Sequence, residues 1–187
     1  MEIRVEGLRK SYHGHFVLMD ITAVFPNGVT CIAAPSGTGK TTLLRVLLGL
    51  EPFDSGTVIG GADCRWAAVF QEDRLLEHLT AASNLRFALG EIPRAAAGML
   101  DRLCLSLEDP RPVREWSGGM RRRLALARAL LAPSDALALD EPFTGLDGEN
   151  RARCLELIRA AGKDKPVILA THDLAGLEDV PVLRLRP

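Results

Sequence analysis

Residues 34–41, Ala34-Pro35-Ser36-Gly37-Thr38-Gly39-Lys40-Thr41, gather glycines, hydroxyls and a lysine between two apolar runs, Val29–Ala33 and Lys40–Leu50. A phosphate tail needs many donors and little bulk. A Gly-rich loop running into a helix offers backbone N–H groups and the positive end of the helix dipole. Gly37 and Gly39 let the backbone come close, Lys40 can reach the β and γ phosphates, and the Thr41 hydroxyl suits Mg²⁺. Such loops usually open with glycine, and here Ala34 stands at that point. Alanine costs little if its φ is ordinary and more if φ must be positive.

A second apolar run, Ala136-Leu137-Ala138-Leu139, ends in Asp140-Glu141. One carboxylate at a buried strand end can hold the shell of a metal ion, and the next can polarise an attacking water. We assign Asp140 to the metal and Glu141 to the water. Taken alone, Asp140-Glu141-Pro142 is equally compatible with an exposed acidic turn; the phosphate loop in the same chain favours the chemical reading. His172 follows a third apolar run, Val167–Ala170. The end of a parallel strand is where ligands bind in such sheets, and an imidazole there could touch the γ-phosphate or the water. Between these groups lies Trp116-Ser117-Gly118-Gly119-Met120, opening onto an arginine-rich segment. Ser117 and the Gly118 and Gly119 amides at a helix start form a second anion site.

These groups need a scaffold. The first 30 residues read as short strands with turns at His13-Gly14-His15 and Pro26-Asn27-Gly28, because Ile3, Val5 and Leu8 give a broken alternation. Val29–Ala33 reads as a buried strand, Lys40–Leu50 as a buried helix, and Thr57–Ile59 and Trp66–Phe70 as strands around Gly60-Gly61. From Arg74 to Glu115 strand runs disappear and helical segments take over, at Ala81–Leu89 and Arg94–Leu105. Then Arg121–Leu131 reads as a helix, Ala136–Leu139 as a strand, Glu149–Ala161 as a helix, and Val167–Ala170 and Val182–Leu185 as strands. On the last helix Cys154, Leu157, Ile158 and Ala161 share one face. Strands alternating with helices predict an α/β fold, a mostly parallel sheet covered on both faces, with an antiparallel N-terminal β subdomain and an inserted helical subdomain.

Composition narrows the function. The chain has 187 residues, enough for one domain with a small inserted lobe. Twenty-three basic and 24 acidic residues nearly cancel, so the totals give no basic face of the nucleic-acid kind; a local patch at Arg121–Arg123 stays open. Cys31, Cys64, Cys104 and Cys154 form no CxxC pair, which favours free thiols in a reducing compartment. Charges interrupt the N-terminal residues, so no signal peptide is expected. No run reaches the roughly 18 apolar residues of a bilayer span, so any membrane role would pass through a partner.

With these residues assembled, the chain resembles the nucleotide-binding subunit of ATP-binding cassette transporters over essentially its whole length. Ser117 to Leu130 is similar to the family signature and its helix. Asp140-Glu141-Pro142 with Thr144-Gly145-Leu146-Asp147 resembles the catalytic strand and the loop after it, Thr171-His172-Asp173 the switch histidine, and Val69-Phe70-Gln71-Glu72-Asp73 the glutamine loop. Tyr12 matches the aromatic that stacks on adenine. The resemblance implies a phosphate-loop NTPase core (residues 1–73 and 117–187) and a helical subdomain (74–116). It implies ATP contacts from Tyr12, Pro35, Ser36, Gly37, Thr38, Gly39, Lys40, Thr41 and Thr42. Mg²⁺ would lie on Thr41, Gln71 and Asp140. Lys40, Gln71, Glu141 and His172 would carry the hydrolysis of ATP.

The resemblance further implies that two subunits, identical or different, close head to tail around two ATP molecules. Ser117, Gly118, Gly119 and Asp147 of one would meet the phosphate loop of the other. Integral membrane permease subunits would hold the pair on the cytoplasmic face of the membrane, with no nucleic acid involved. The signature's usual glutamine is Met120 here, and the residue before the signature is Trp116 rather than leucine. Ser-Gly-Gly-Met and the run Val69–Leu79 are similar to importer subunits of the nitrate, sulfonate and taurine type. The chain ends soon after the His172 strand, which leaves no room in it for a C-terminal regulatory domain. A regulatory partner in a heterodimer is the alternative that Ala34 and Met120 suggest, and intact Lys40, Glu141 and His172 oppose it. A soluble, non-transport cassette protein would bring paired cassettes, coiled insertions or basic extensions.

Overall fold

The computed structural model describes residues 1–35, 37–61 and 64–185. Its N-terminal part is an antiparallel sheet in which β1 (Glu2–Tyr12) lies between β2 (His15–Pro26) and β4 (Ser55–Ile59). β1 and β2 are two long strands, not the short pieces expected. The cause is a bulge: Gly7 takes φ +58°, and the β1–β2 register shifts between Val5 and Leu8. One extra residue lets Leu8 return to the face that Ile3 and Val5 occupy, so all three are fully buried although their spacing is irregular. His13 and Gly14, both at positive φ, close the hairpin.

The second sheet is wholly parallel. Its five strands run in the order β5 (Trp66–Val69), β6 (Ala136–Asp140), β7 (Pro166–Thr171), β3 (Gly28–Ala33), β8 (Val182–Arg184). Every residue of β6 and β7 is buried, as strands covered on both faces must be. Alternation divides their side chains between two cores. Ala136, Ala138, Ile168 and Ala170 face α1 (Lys40–Leu47) and the antiparallel sheet. Leu137, Leu139, Val167 and Leu169 face the opposite core with Leu124 and Leu126 of α4 (Gly118–Leu131) and Leu157 and Ile158 of α5 (Gly148–Gly162).

Between β5 and α4 run α2 (Ala81–Leu89), α3 (Ala96–Arg102) and a 3₁₀ turn, Val113–Glu115. Thr80 caps α2 by accepting from the Ser83 amide. Buried Leu85, Leu100, Leu103 and Trp116 join this region to the α4 side of the core. α4 starts three residues earlier than the sequence pattern suggests. Ser117 caps it, its Oγ accepting the Met120 amide at 3.2 Å, so both signature glycines are helical. Among the described residues no helix is long and apolar enough to cross a membrane.

Candidate functional site

Three strands of the parallel sheet end side by side and supply the site. β3 runs out into the loop before Lys40, β6 ends in Asp140, and β7 ends in Thr171. The register pairs Ala33 with Thr171 and Asp140 with Ala170. Chemistry-bearing residues far apart in sequence therefore emerge at one edge, where a parallel sheet receives its ligands.

Ala34 is not among the residues with positive φ, so alanine replaces glycine there without backbone strain. Gly39 is different. It caps α1 at φ +94°, and a Cβ would lie 2.8 Å from the Val17 carbonyl oxygen and 2.9 Å from Val17 Cγ1, so only glycine fits. The Lys40 ammonium folds back over the loop and donates to the carbonyls of Ala34 (2.7 Å) and Pro35 (3.2 Å). Thr38 Oγ1 also donates to the Pro35 carbonyl. Ser36, expected in this cradle, lies outside the described residues.

Thr41 and Asp140 are in direct contact: the hydroxyl donates to Asp140 Oδ2 at 2.7 Å. Asp140 is almost fully buried, and that burial raises its carboxyl above the usual range, with the Glu141 charge adding to the effect. A hydroxyl and a buried carboxylate are hard oxygen donors, and a carboxylate raised by burial gains from a divalent cation. Mg²⁺ typically takes one or two protein oxygens and leaves the rest to phosphate and water, and the Thr41–Asp140 pair is a donor set of that kind.

Glu141 leaves the strand at φ +47°, with its amide donating to the Ala170 carbonyl. That turn carries the carboxylate back across the end of β7. Oε1 lies 2.9 Å from His172 Nδ1 and 3.7 Å from Lys40 Nζ, and Oε2 accepts from Thr171 Oγ1 at 3.2 Å. Lys40, Glu141 and His172 thus meet around one carboxylate. Tyr12, Val17, Thr42 and Gln71 line the same cleft, of about 480 Å³, together with Gly37, Gly39, Lys40, Thr41, Asp140 and Glu141. The Tyr12 ring has the Lys10 ammonium 4.7 Å from its centroid. Lys10 is paired with Glu51 at 3.3 Å, and Ser11 is fastened to Asp54 by its amide and its hydroxyl.

Ser117, Gly118, Gly119 and Asp147 are not brought to that cleft. They line a separate one of about 530 Å³, and the two clefts share no residue. Asp147 caps α5 by accepting from the Asn150 amide at 2.8 Å, a bond that also holds its carboxyl below the usual range. The Met120 side chain packs half-buried against the adjoining core. Arg121–Arg123 is not a basic patch, since Arg122 and Arg123 are buried. Arg122 donates to the carbonyls of Phe70 (2.7 Å) and Gln71 (2.5 Å) and lies 3.3 Å from the Asp73 carboxylate. Arg128, further along α4, donates to the carbonyls of Asp73 and Arg74. Arg123 donates to the Gly119 and Leu103 carbonyls.

Val17, Glu51 and Asp54 are not singled out by the sequence pattern, and Thr171 and the two latching arginines, Arg122 and Arg128, lie in motifs that give them no role of their own. Thr171 carries a signal, standing immediately before His172 at the end of an apolar run. The arginines carry none, because their acceptors, the Asp73 carboxylate beside Arg122 apart, are backbone oxygens that any residue supplies.

A five-stranded parallel core with a phosphate loop at one strand end and an acidic pair at the next defines a phosphate-loop nucleotide-binding fold. Residues 22–144, more than half of the chain, match the profile of the ABC transporter family, and the chain belongs to that family. It is 36% identical to a sulfate/thiosulfate import ATP-binding protein of Chromobacterium violaceum, over 92% of this chain and 55% of that protein. It is 38% identical to an aliphatic sulfonates import ATP-binding protein of Rhizobium johnstonii, over 92% of this chain and 68% of that protein. The chain thus spans between about half and two thirds of the length of these relatives. The solved dimeric structure of a bacterial ABC transporter cassette superposes with a TM-score of 0.85 at 22% identity, covering 98% of this chain and 94% of that one, a likeness of fold.

Proposed function

We propose that this chain is an ATP-binding and ATP-hydrolysing subunit that powers import across a membrane by closing, as a pair, around two ATP molecules. The observation that carries this reading is the convergence of Lys40 and His172 on Glu141, beside the Thr41–Asp140 pair. In this reading Lys40 exchanges the Ala34 and Pro35 carbonyls for the β and γ phosphates. Glu141 orients the attacking water and takes its proton. His172 steadies the Glu141 carboxylate and reaches the γ-phosphate. Thr41, Asp140 and Gln71 would hold Mg²⁺, which supplies charge neutralisation on the phosphates. Tyr12 stacks on adenine.

Two clefts with no common residue support completion of the site in trans. Ser117, Gly118, Gly119 and Asp147 of one subunit would cover the nucleotide on the phosphate loop of the other, as a dimer or heterodimer. Residues 74–116 would form the helical subdomain that, with the groove beside Gln71, meets integral membrane permease subunits on the cytoplasmic face. The import relatives support the direction of transport.

The test is Glu141→Gln. Purified wild-type chain should hydrolyse ATP slowly, and the variant should bind ATP, stop turning over and elute as a dimer in sizing chromatography. Wild-type turnover surviving Glu141→Gln unchanged would overturn the assignment.

A further inference from the structure

Resting on that reading, we infer that Thr171 is a positioning residue for Glu141, through a hydroxyl proton shared between two acceptors. Thr171 is buried at the last position of β7. Its Oγ1 accepts the Asp173 amide at 3.1 Å. The same oxygen lies 3.2 Å from Glu141 Oε2 and 3.2 Å from the Asp173 carbonyl oxygen. A hydroxyl has one proton to give, so it serves one of these acceptors at a time.

The carboxylate is the stronger acceptor, since charge-assisted hydrogen bonds are the more favourable kind. The Asp173 carbonyl does not need the proton, because it already accepts from Arg151 Nη2 at 3.1 Å, and Arg151 is also paired with the Asp173 carboxylate at 2.9 Å. With Glu141 turned toward β7, Thr171 donates to Oε2 while His172 holds Oε1. When Glu141 swings toward a water, the hydroxyl rotates to the Asp173 carbonyl. No buried donor is stranded in either position, so the desolvation penalty that would resist the swing is absent. Thr171 thereby fixes where the carboxylate rests and makes its departure cheap. It is buried and does not line the cleft, and so acts through Glu141.

The experiment compares steady-state ATP hydrolysis by wild type, Thr171→Val and Thr171→Ser, with thermal melts of each. Valine keeps the shape and removes both the proton and the oxygen that accepts the Asp173 amide, and serine restores both. A fall in kcat without a fall in melting temperature assigns the effect to the proton, whereas a matching fall in both overturns the inference. The expected result is a kcat about tenfold lower for Thr171→Val with KM for ATP unchanged, and Thr171→Ser within about twofold of wild type, the loss appropriate to one charge-assisted hydrogen bond. If Thr171→Val turns over like wild type, the inference is wrong. It is equally wrong if valine and serine lose activity alike, or if KM rises in step with the loss, because packing alone then explains the effect. A wild-type protein with no ATP turnover would instead overturn the functional reading beneath it.

Discussion

The Thr41 hydroxyl and the Asp140 carboxylate, 99 residues apart in sequence, are joined by a 2.7 Å hydrogen bond at the floor of the cleft. The partner satisfies Asp140 only in part, since burial still holds its carboxyl above the ordinary range. Its sign follows from linkage. A carboxyl whose folded pKa exceeds its unfolded value binds protons more tightly in the folded state, so stability rises as pH falls through the folded pKa and is diminished at neutral pH. Asp140→Asn should therefore raise the melting temperature of nucleotide-free protein at pH 7, by about 2–4 °C if the relief is near 1 kcal/mol, while losing the stabilisation that Mg²⁺–ATP gives the wild type. An unchanged or lower melting temperature would show that the buried charge costs nothing here.

Removing the carboxylate at Glu141 should lower kcat by about 10²- to 10⁴-fold, the range for loss of a positioned general base. ATP affinity should be retained, since the contacts proposed for the nucleotide come from Tyr12 and residues 35–42 and not from Glu141. Single-turnover hydrolysis and equilibrium nucleotide binding measured on Glu141→Gln separate the two effects.

Arg122 places a buried charge on two carbonyls and a carboxylate. Arg122→Met leaves those oxygens without their donor and should cost about 3 kcal/mol in urea unfolding. Arg122→Lys should recover less than half of that, because an ammonium lacks the planar fork that reaches two carbonyls together.

Thiol chemistry should divide the cysteines. Burial pushes Cys31 up to about 11 and Cys154 up to about 12, whereas Cys104 is exposed. At pH 8 a thiolate-specific reagent should modify Cys104 quickly and half-buried Cys64 slowly. Cys31 and Cys154 should react only in denaturant. Peptide mapping after brief labelling would show it.

The phosphate loop, the acidic pair and His172 were readable in the sequence because each sits where an apolar run stops, and a buried strand must put its polar neighbours at its end. The hairpin was less readable. The Gly7 bulge makes the step from Val5 to Leu8 odd, so a continuous strand looks like fragments. The role of the arginine run was hidden for another reason. Charge in sequence suggests an exposed patch, but Arg122 and Arg123 turn inward to backbone oxygens. Thr171 was passed over beside a more reactive neighbour, and only the register of β6 against β7 brings its hydroxyl to Glu141.

Apart from the Asp73 carboxylate beside Arg122, the grip of α4 on residues 70–74 falls on main-chain oxygens of Phe70, Gln71, Asp73 and Arg74. A clasp of that kind cannot distinguish one amino acid from another. Phe70, Glu72 and Arg74 can therefore exchange side chains, and with them the surface they offer a neighbour, while the segment keeps its path. Asp73, paired with Arg122, and Gln71, proposed for Mg²⁺, are held by their side chains as well. The two arginines have no such latitude: those positions can be rewritten, but their fastening cannot.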